Sequence, residues 1–334
     1  MMVDGQGAQE THPSREPDGP SLSVVLVTPD TYDTIRATVE ALRRQTARRH
    51  LELLIVAPAG NDLGPDATAA GDFLVLRVVE LDAFGTQGAA LAAGVRAARA
   101  PVVVLAEDHA FPAPDWAETL IAAHRGPWSA VGPAIVNANP ESMISWAEFL
   151  FSFGAFRAPL PSGVVERLPT HNSSYKRAVL LEYGDALDAM LEAESVLLQD
   201  LRARGHRFYL AGTTTVAHLN FERPWAFIWA RWYAGRLFAA TRSQGWSLPR
   251  RLLYVVAAPL IPMVGLGRIA RELRRPPRPP LRVLPALLLG LVVNAAGECL
   301  GYAVGAGPTA EKVSGFERHR VRYLRKRRVG RPVI

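Results

Sequence analysis

From residue 22 onward, short runs of consecutive apolar residues alternate with stretches whose apolar positions recur every three or four residues. Leu22–Val27, Leu51–Ala57, Phe73–Val79 and Val102–Ala106 are the apolar runs. Between them, residues 33–46 carry Ile35, Val39 and Leu42 at helical spacing, and residues 86–99 are alanine-rich. Strands that are apolar throughout are buried on both faces, as in a parallel sheet covered by helices. The pattern predicts an α/β fold with a mostly parallel central sheet. Pro101 closes the turn into the fourth strand, and Asp115-Trp116, after Pro112 and Pro114, opens another helix.

Beyond residue 141 the pattern changes. Residues 141–156 are unusually aromatic, with Trp146, Phe149, Phe151, Phe153 and Phe156. After a proline-rich break comes the polar stretch His171–Arg177, then a helical pattern at 191–204 for which Gly205 is a fitting stop. Phe208–Leu210 and Thr215–Leu219 read as strands, the second containing His218.

Two long apolar stretches follow. Leu252–Gly267 spans 16 residues and contains Pro259 and Pro262; Val283–Gly307 spans 25, interrupted by Asn294 and Glu298. The second is long enough to cross a bilayer, and the first reaches that length only if its flanks join in. Glu298 is costly in lipid and demands a polar partner, for which Trp225–Trp232, Arg231 and Arg236 are candidates.

Charge adds a direction to this picture. The net charge is +7, and basic residues concentrate beyond Arg250. One cluster, Arg268 to Arg282, lies between the apolar stretches; another occupies the tail. Two ordinary spans would put these clusters on opposite sides, against the positive-inside rule. A hairpin that does not fully cross, or helices lying in the interface, leaves both against anionic lipid on the cytoplasmic side. No nucleic-acid recognition motif accompanies the arginines, so lipid is the expected partner and nucleic acid is not. The lone Cys299 excludes an intrachain disulfide and a cysteine-rich zinc site. Residues 1–20 are polar and rich in Gly, Pro, Asp and Glu, and are read as a disordered leader.

The candidate chemistry starts at Glu107-Asp108-His109, directly after the fourth apolar run. Ligands in open α/β sheets bind just beyond the carboxyl ends of strands. Carboxylates suit hard divalent cations, and an adjacent imidazole suits Mn²⁺ better than Ca²⁺.

Taken together, Gly85-Thr86-Gln87-Gly88 before an alanine-rich helix, then Val102–Trp116 with its Glu-Asp-His and Pro-Asp-Trp, resemble a family 2 glycosyltransferase. The resemblance covers roughly residues 21–236. It implies a GT-A fold, followed here by membrane-associated helices at 237–307 and a basic tail at 308–334. It also implies sugar transfer from a nucleotide-sugar donor to a glycan or lipid-linked acceptor, at the cytoplasmic face of the cell membrane.

By the family's register, Glu107 and His109 take the two aspartate positions of the Asp-x-Asp motif, with Asp108 between them. The implied cofactor is Mn²⁺ or Mg²⁺, held among Glu107, Asp108, His109 and His218. The donor would lie over Thr28, Asp30, Gly85, Gly88 and Asp108, and the acceptor beside His171 and Asn172. Two departures from the family stand at the donor end: Ala57-Pro58-Ala59 replaces a nucleobase-binding aspartate, with Asn61 and Asp62 slightly later, and Thr28-Pro29-Asp30-Thr31-Tyr32 replaces a Pro-Thr-Tyr-Asn type of run. Gly85 and Gly88 form no phosphate loop, because no Lys-Ser/Thr follows.

An inverting transfer needs a general base, and the family's acidic pair falls on Ala193-Glu194. Helical geometry chooses independently between Glu192 and Glu194. From Glu194, positions i+3, i+4 and i+7 are Leu197, Leu198 and Leu201, whereas from Glu192 they are Ser195, Val196 and Gln199. Glu194 therefore lies on the inward stripe, where desolvation raises a carboxyl pKa. The missing donor-side aspartates leave two rivals: a degraded GT-A domain that binds glycan or scaffolds a membrane assembly, and a nucleotidyl- or phosphosugar-transferring enzyme on the same fold.

Overall fold

The computed structural model describes residues 19–61, 63–64, 73–276, 278–318 and 320–324. Most of the expected leader, Asp62 and the tail from residue 325 lie outside them.

In chain order the elements are β1 (Leu22–Val27), α1 (Tyr32–Arg43), β2 (Leu51–Pro58), β3 (Val75–Leu81), α2 (Gln87–Ala97), β4 (Val102–Ala106), β5 (Ala110–Pro112) and α3 (Trp116–Ala123). Then come β6 (Ala130–Asn137), α4 (Met143–Phe153), β7 (Gly163–Val165), β8 (Ser174–Lys176), α5 (Arg177–Leu181), α6 (Leu187–Glu192), α7 (Glu194–Ala203) and β9 (Phe208–His218). Helices complete the chain: α8 (Pro224–Arg242), α9 (Leu248–Ala257), α10 (Ile261–Arg274), α11 (Leu284–Val304) and α12 (Thr309–Arg318).

One sheet carries all the strands in the order β3-β2-β1-β4-β8-β6-β9-β5, with β7 on β9. The β3-β2-β1-β4 half is parallel, and β6 is parallel to β9. Every residue of β1 and β4 is buried, the burial that continuous apolar runs require. One core cluster packs α1, α3 and α4 on one side of the sheet; a second packs α2 and α5–α7 on the other.

Three local expectations change. The polar stretch at 171–177 contains β8, whose three residues pair antiparallel with β4 and are too few to show a period. The two strands expected at 208–219 are one strand, β9. Its register against β6 shifts between Pro133 and Ala134, which pair with Ala211 and Thr215. Proline has no N–H to give the ladder, and Gly212–Thr214 loop out opposite it. The helix expected over 191–204 is broken at Ala193 (φ −127°, ψ 67°), so that α6 ends at Glu192 and α7 starts at Glu194.

At the C-terminal end, α9 and α10 run on through a single 3₁₀ turn as a helix of 27 residues, Leu248–Arg274; the next apolar helix, Leu281–Val304, has 24. Pro259 and Pro262 sit in first turns of helical segments, where no backbone N–H is lost to the ladder. The flanks thus extend the first apolar stretch to membrane-compatible length. Only 11% of its apolar window is buried, against 39% for the second, so the first is the more exposed of the two.

Helix α11 lies along α8 at close range. A Cβ on Gly297 would stand 2.2 Å from the Trp232 carbonyl oxygen, and one on Gly301 2.3 Å from that of Arg236. Only glycine permits such backbone approach. Gly297→Val is expected to separate the two helices at a cost of about 1–3 kcal/mol or more, measured as a lowered Tm of the detergent-solubilised chain. Glu298, buried in this interface, accepts from Asn294 Nδ2 at 2.8 Å, with Arg242 and Arg268 supplying positive charge. The partners expected from sequence are engaged elsewhere: Arg231 pairs with buried Glu148 at 3.0 Å, and Arg236 donates to the Gly305 carbonyl. Buried Arg157 donates to the carbonyls of Glu272 and Arg275 at the end of α10, and Arg275 donates back to those of Gly154 and Arg157. The sheet domain and the C-terminal helices are clipped together there.

Candidate active site

Strand β4 sits at the centre of the sheet and delivers Glu107, Asp108 and His109 at its carboxyl end. The Thr38 hydroxyl, reaching across from α1, lies 3.3, 3.0 and 3.2 Å from the carbonyls of Glu107, Asp108 and Ala110. It pins the turn. Strand β5 then pairs antiparallel with β9 and sets Ala110 opposite His218. That register carries His218 from the far end of the chain to His109, with ring centroids 4.8 Å apart.

Glu107, His109 and His218 form a compact group whose candidate ligand atoms all lie within 4.8 Å of one another. His109 Nε2 is 3.5 Å from Glu107 Oε1, and His218 Nε2 is 3.4 Å from Glu107 Oε2. On the other side of each ring, Nδ1 meets a side-chain oxygen: Asp108 Oδ1 at 2.6 Å and Asn220 Oδ1 at 3.1 Å. Asn220 spends its amide nitrogen on Asn137 Oδ1 and the His218 carbonyl, so its oxygen faces the ring and His218 Nδ1 is the donor. Both imidazoles thereby turn Nε2 toward one carboxylate, with the other ring nitrogen held by a side-chain oxygen, the arrangement that orients metal-ligating histidines.

The fit to a cation is visible in His109. Its Nε2 is buried without a hydrogen-bond partner, facing a carboxylate oxygen that has no proton to give. A divalent cation satisfies both atoms. Burial alone would raise the Glu107 pKa, but His109, His171 and His218 around it hold it well below the ordinary carboxylate range.

The loop before β8 joins this corner to a second carboxylate. His171 and Asn172 both have left-handed backbone (φ 65° and 56°), unusual for two successive non-glycine residues. Asn172 Nδ2 donates to Glu107 Oε2 at 2.7 Å, and its backbone N–H to the Leu105 carbonyl at 2.8 Å. The His171 backbone N–H donates to Glu194 Oε2 at 2.5 Å, with His171 Nδ1 3.3 Å from the same oxygen. Tyr175 Oη donates to Glu194 Oε1 at 2.5 Å.

Glu194 is 4% exposed and stands on the buried face of α7 with Leu197, Leu198 and Leu201. Burial raises its pKa, an effect that His171 and the two hydrogen bonds offset only in part and that Glu107 reinforces. Tyr175 is driven well above the ordinary tyrosine value by burial and by the Glu194 charge. The break at Ala193 separates the two acids. Glu192 turns instead to α2, where its Oε2 accepts from the Gly88 N–H at 2.5 Å.

The remaining sequence candidates lie around the edge of this corner. A small cavity of about 30 Å³ is lined by Val27, Pro29, Gln87, Leu91, Leu105, Ala106, Glu107, Asp108, His109 and His171. Thr28 is fully buried and bonded to Thr34 Oγ1, which orders the β1–α1 turn without presenting a hydroxyl to a ligand. Asp30 is half-buried; its carbonyl accepts from Asn61, and its carboxylate lies 3.5 Å from Arg322 of the C-terminal segment. Gly85 is exposed with φ 56°. Lys176 and Arg177 donate to backbone carbonyls, Arg177 at the end of α2.

Sequence reasoning missed Thr38, Tyr175 and Asn220. Each acts over a distance set by strand pairing or helix packing, apart from Asn220, which stands two residues beyond His218.

The model of "Glycosyl transferase family 2" matches residues 23–184. No curated protein sequence matches the chain significantly. Similar solved structures include the mannosyltransferase PcManGT from Pyrobaculum calidifontis in complex with GDP-Man and Mn²⁺: 19% identity, 89% of this chain and 79% of that one covered, TM-score 0.42. Another is S. aureus TarS 1–349 in complex with UDP: 15% identity, 87% and 92% covered, TM-score 0.47. Likenesses at that level leave the assignment to the family match, which takes in β1 through α5 and includes Glu107, His109, His171 and Asn172. Over residues 23–184 the chain is glycosyl transferase family 2-like.

Proposed function

We propose that this nucleotide-sugar-dependent glycosyltransferase acts with inversion, at a membrane surface, on a glycan or lipid-linked acceptor. Glu107, His109 and His218 would hold a divalent cation, and Glu194 would be the general base. One observation carries the reading: the strained His171–Asn172 loop touches both carboxylates, Asn172 on Glu107 and His171 on Glu194. A donor diphosphate at the first and an acceptor hydroxyl at the second would be held in one fixed relation.

A bound divalent cation supplies Lewis-acid neutralisation of the departing diphosphate. Two imidazoles and one carboxylate favour Mn²⁺ over Mg²⁺, which prefers oxygen ligands. The chain's own part is to take the acceptor proton on a Glu194 oxygen as the acceptor oxygen bonds to the anomeric carbon and the bond to the diphosphate breaks. A single base on the side opposite the leaving group yields inversion. The 30 Å³ cavity admits a water or an ion, so the nucleoside belongs outside it, over the carboxyl ends of β1 and β2 near Asp30 and Asn61.

Membrane association is supported by the two apolar helices. Both ends of α11 are held by neighbouring helices: Val283 and Leu287 pack with Ala147 of α4 and Phe227 of α8, and Arg236 of α8 donates to the Gly305 carbonyl. That favours a helix lying along the domain at the interface, with Arg268–Arg282 against the anionic cytoplasmic leaflet.

The test is a panel of UDP- and GDP-sugars offered to the purified full chain with and without Mn²⁺. Mn²⁺-dependent thermal stabilisation and slow donor hydrolysis are expected for at least one donor. Silence across the panel in both readouts would sink the enzymatic reading.

A further inference from the structure

A cavity of about 640 Å³ lies away from the catalytic corner. It lies between α4, α10 and α11, walled by Phe151, Phe156, Leu260, Ile261, Val264 and Leu291. Its size is that of a site for one small organic ligand. Its mouth is apolar, because Phe238, Leu260 and Val264 line it and are 54%, 60% and 58% exposed. Those residues are continuous with the outward apolar face of α9–α10, including Leu253, Val256 and Met263.

The charge in the lining is uneven. Arg167, Arg242, Arg268 and Arg271 face Glu272 and Glu298. Glu272 is paired with Arg275, while Glu298 is buried and bonded to Asn294 with Arg242 and Arg268 near it. Arg268 and Arg271 are exposed at the C-terminal end of α10. From Ala257 to Arg268 the helix rises about 16 Å, the reach of an extended chain of roughly a dozen carbons. The site is therefore apolar at one end and cationic at the other.

We infer that this cavity binds a bilayer phospholipid with an anionic head group, its phosphate at Arg268 and Arg271 and an acyl chain along Ala257–Val264. Apolar wall, lateral mouth and a lining with four arginines against two glutamates match an anionic amphiphile and no soluble metabolite. Helix α4 connects the site to the catalytic corner. Leu150, Phe151 and Gly154 line the cavity, whereas Phe153 packs its ring 4.4 Å from that of His218. Lipid binding does not require sugar transfer, so its test stands apart from the donor screen.

Delipidated full chain in detergent is titrated with dilauroyl phosphatidylglycerol, dilauroyl phosphatidylcholine, a polyprenyl phosphate and inorganic phosphate, reading thermal shift and lipid adducts by native mass spectrometry. Two arginines at the head group predict at least about tenfold tighter binding of phosphatidylglycerol than of phosphatidylcholine. R268Q/R271Q should erase that preference, and A257W, which fills the cavity, should erase binding of both lipids. Circular dichroism of the lipid-free variants checks that each is folded. Equal binding of the two phospholipids, a preference surviving R268Q/R271Q in folded protein, or full protection by inorganic phosphate would overturn the proposal. Tighter binding of the polyprenyl phosphate would overturn its commitment to a bilayer lipid.

Discussion

Glu194→Gln is expected to lower kcat by about 10²- to 10⁴-fold while leaving donor-induced thermal stabilisation intact. Glutamine keeps the shape and both hydrogen bonds, since its oxygen accepts from the His171 N–H and its amide can donate to Tyr175 Oη, the two groups that now hold the carboxylate. What it loses is the ability to take a proton. The pH dependence gives a second signature. Burial raises the Glu194 pKa above its ordinary 4.5, so the acid limb of the kcat profile should lie above pH 4.5. The sign for stability runs the same way. A carboxyl whose folded pKa is raised favours folding when protonated, and that contribution is lost as pH climbs from 4.5 through the folded value. Glu194→Gln, permanently neutral, should therefore be at least as heat-stable as the parent at pH 7. A clear fall in Tm there would show that the carboxylate is a structural anchor. Tyr175→Phe tests positioning: the acid limb should shift and kcat fall less than in Glu194→Gln, with KM for donor unchanged.

The parts of this site that could be read from sequence are those governed by local patterns. Val102–Ala106 is apolar at every position, which forced a central buried strand and placed Glu107–His109 at its exit. The Leu197, Leu198, Leu201 stripe put Glu194 on the buried side of its helix. Neither pattern could show that Ala193 breaks the helix and sends Glu192 to Gly88, because the break depends on α6 packing on α2. Pairing was equally illegible. His218 reaches His109 through a three-residue strand, β5, and the His171–Asn172 link to both carboxylates rests on two positive φ angles that no periodicity encodes. Asp108 showed the limit of counting ligands along the chain. It is adjacent to the group in sequence, but its carboxylate faces His109 Nδ1 and stands behind the ring.

That arrangement makes Glu107 the position where a single substitution should do the most damage to cation binding. Glu107→Gln removes the only carboxylate of the three-residue group and leaves two Nε2 atoms facing an amide. Mn²⁺-dependent stabilisation should disappear, and activity at saturating Mn²⁺ should fall by at least about 10²-fold, the loss of the electrostatic stabilisation such a site supplies. Asp108→Asn acts only through the His109 ring, so its effect should be smaller, about 10- to 100-fold in Mn²⁺ affinity. Mn²⁺ titration followed by electron paramagnetic resonance separates the two without relying on turnover. The same titration at falling pH should show Mn²⁺ affinity declining, because the imidazoles must be deprotonated to act as ligands and binding releases their protons. The Glu107 charge does not limit affinity over that range, since its neighbours hold its pKa well below 4.5. If Glu107→Gln binds Mn²⁺ as tightly as the parent, the cation sits elsewhere, and the convergence of Glu107, His109 and His218 is a buried hydrogen-bonded cluster that fixes β4 against β9.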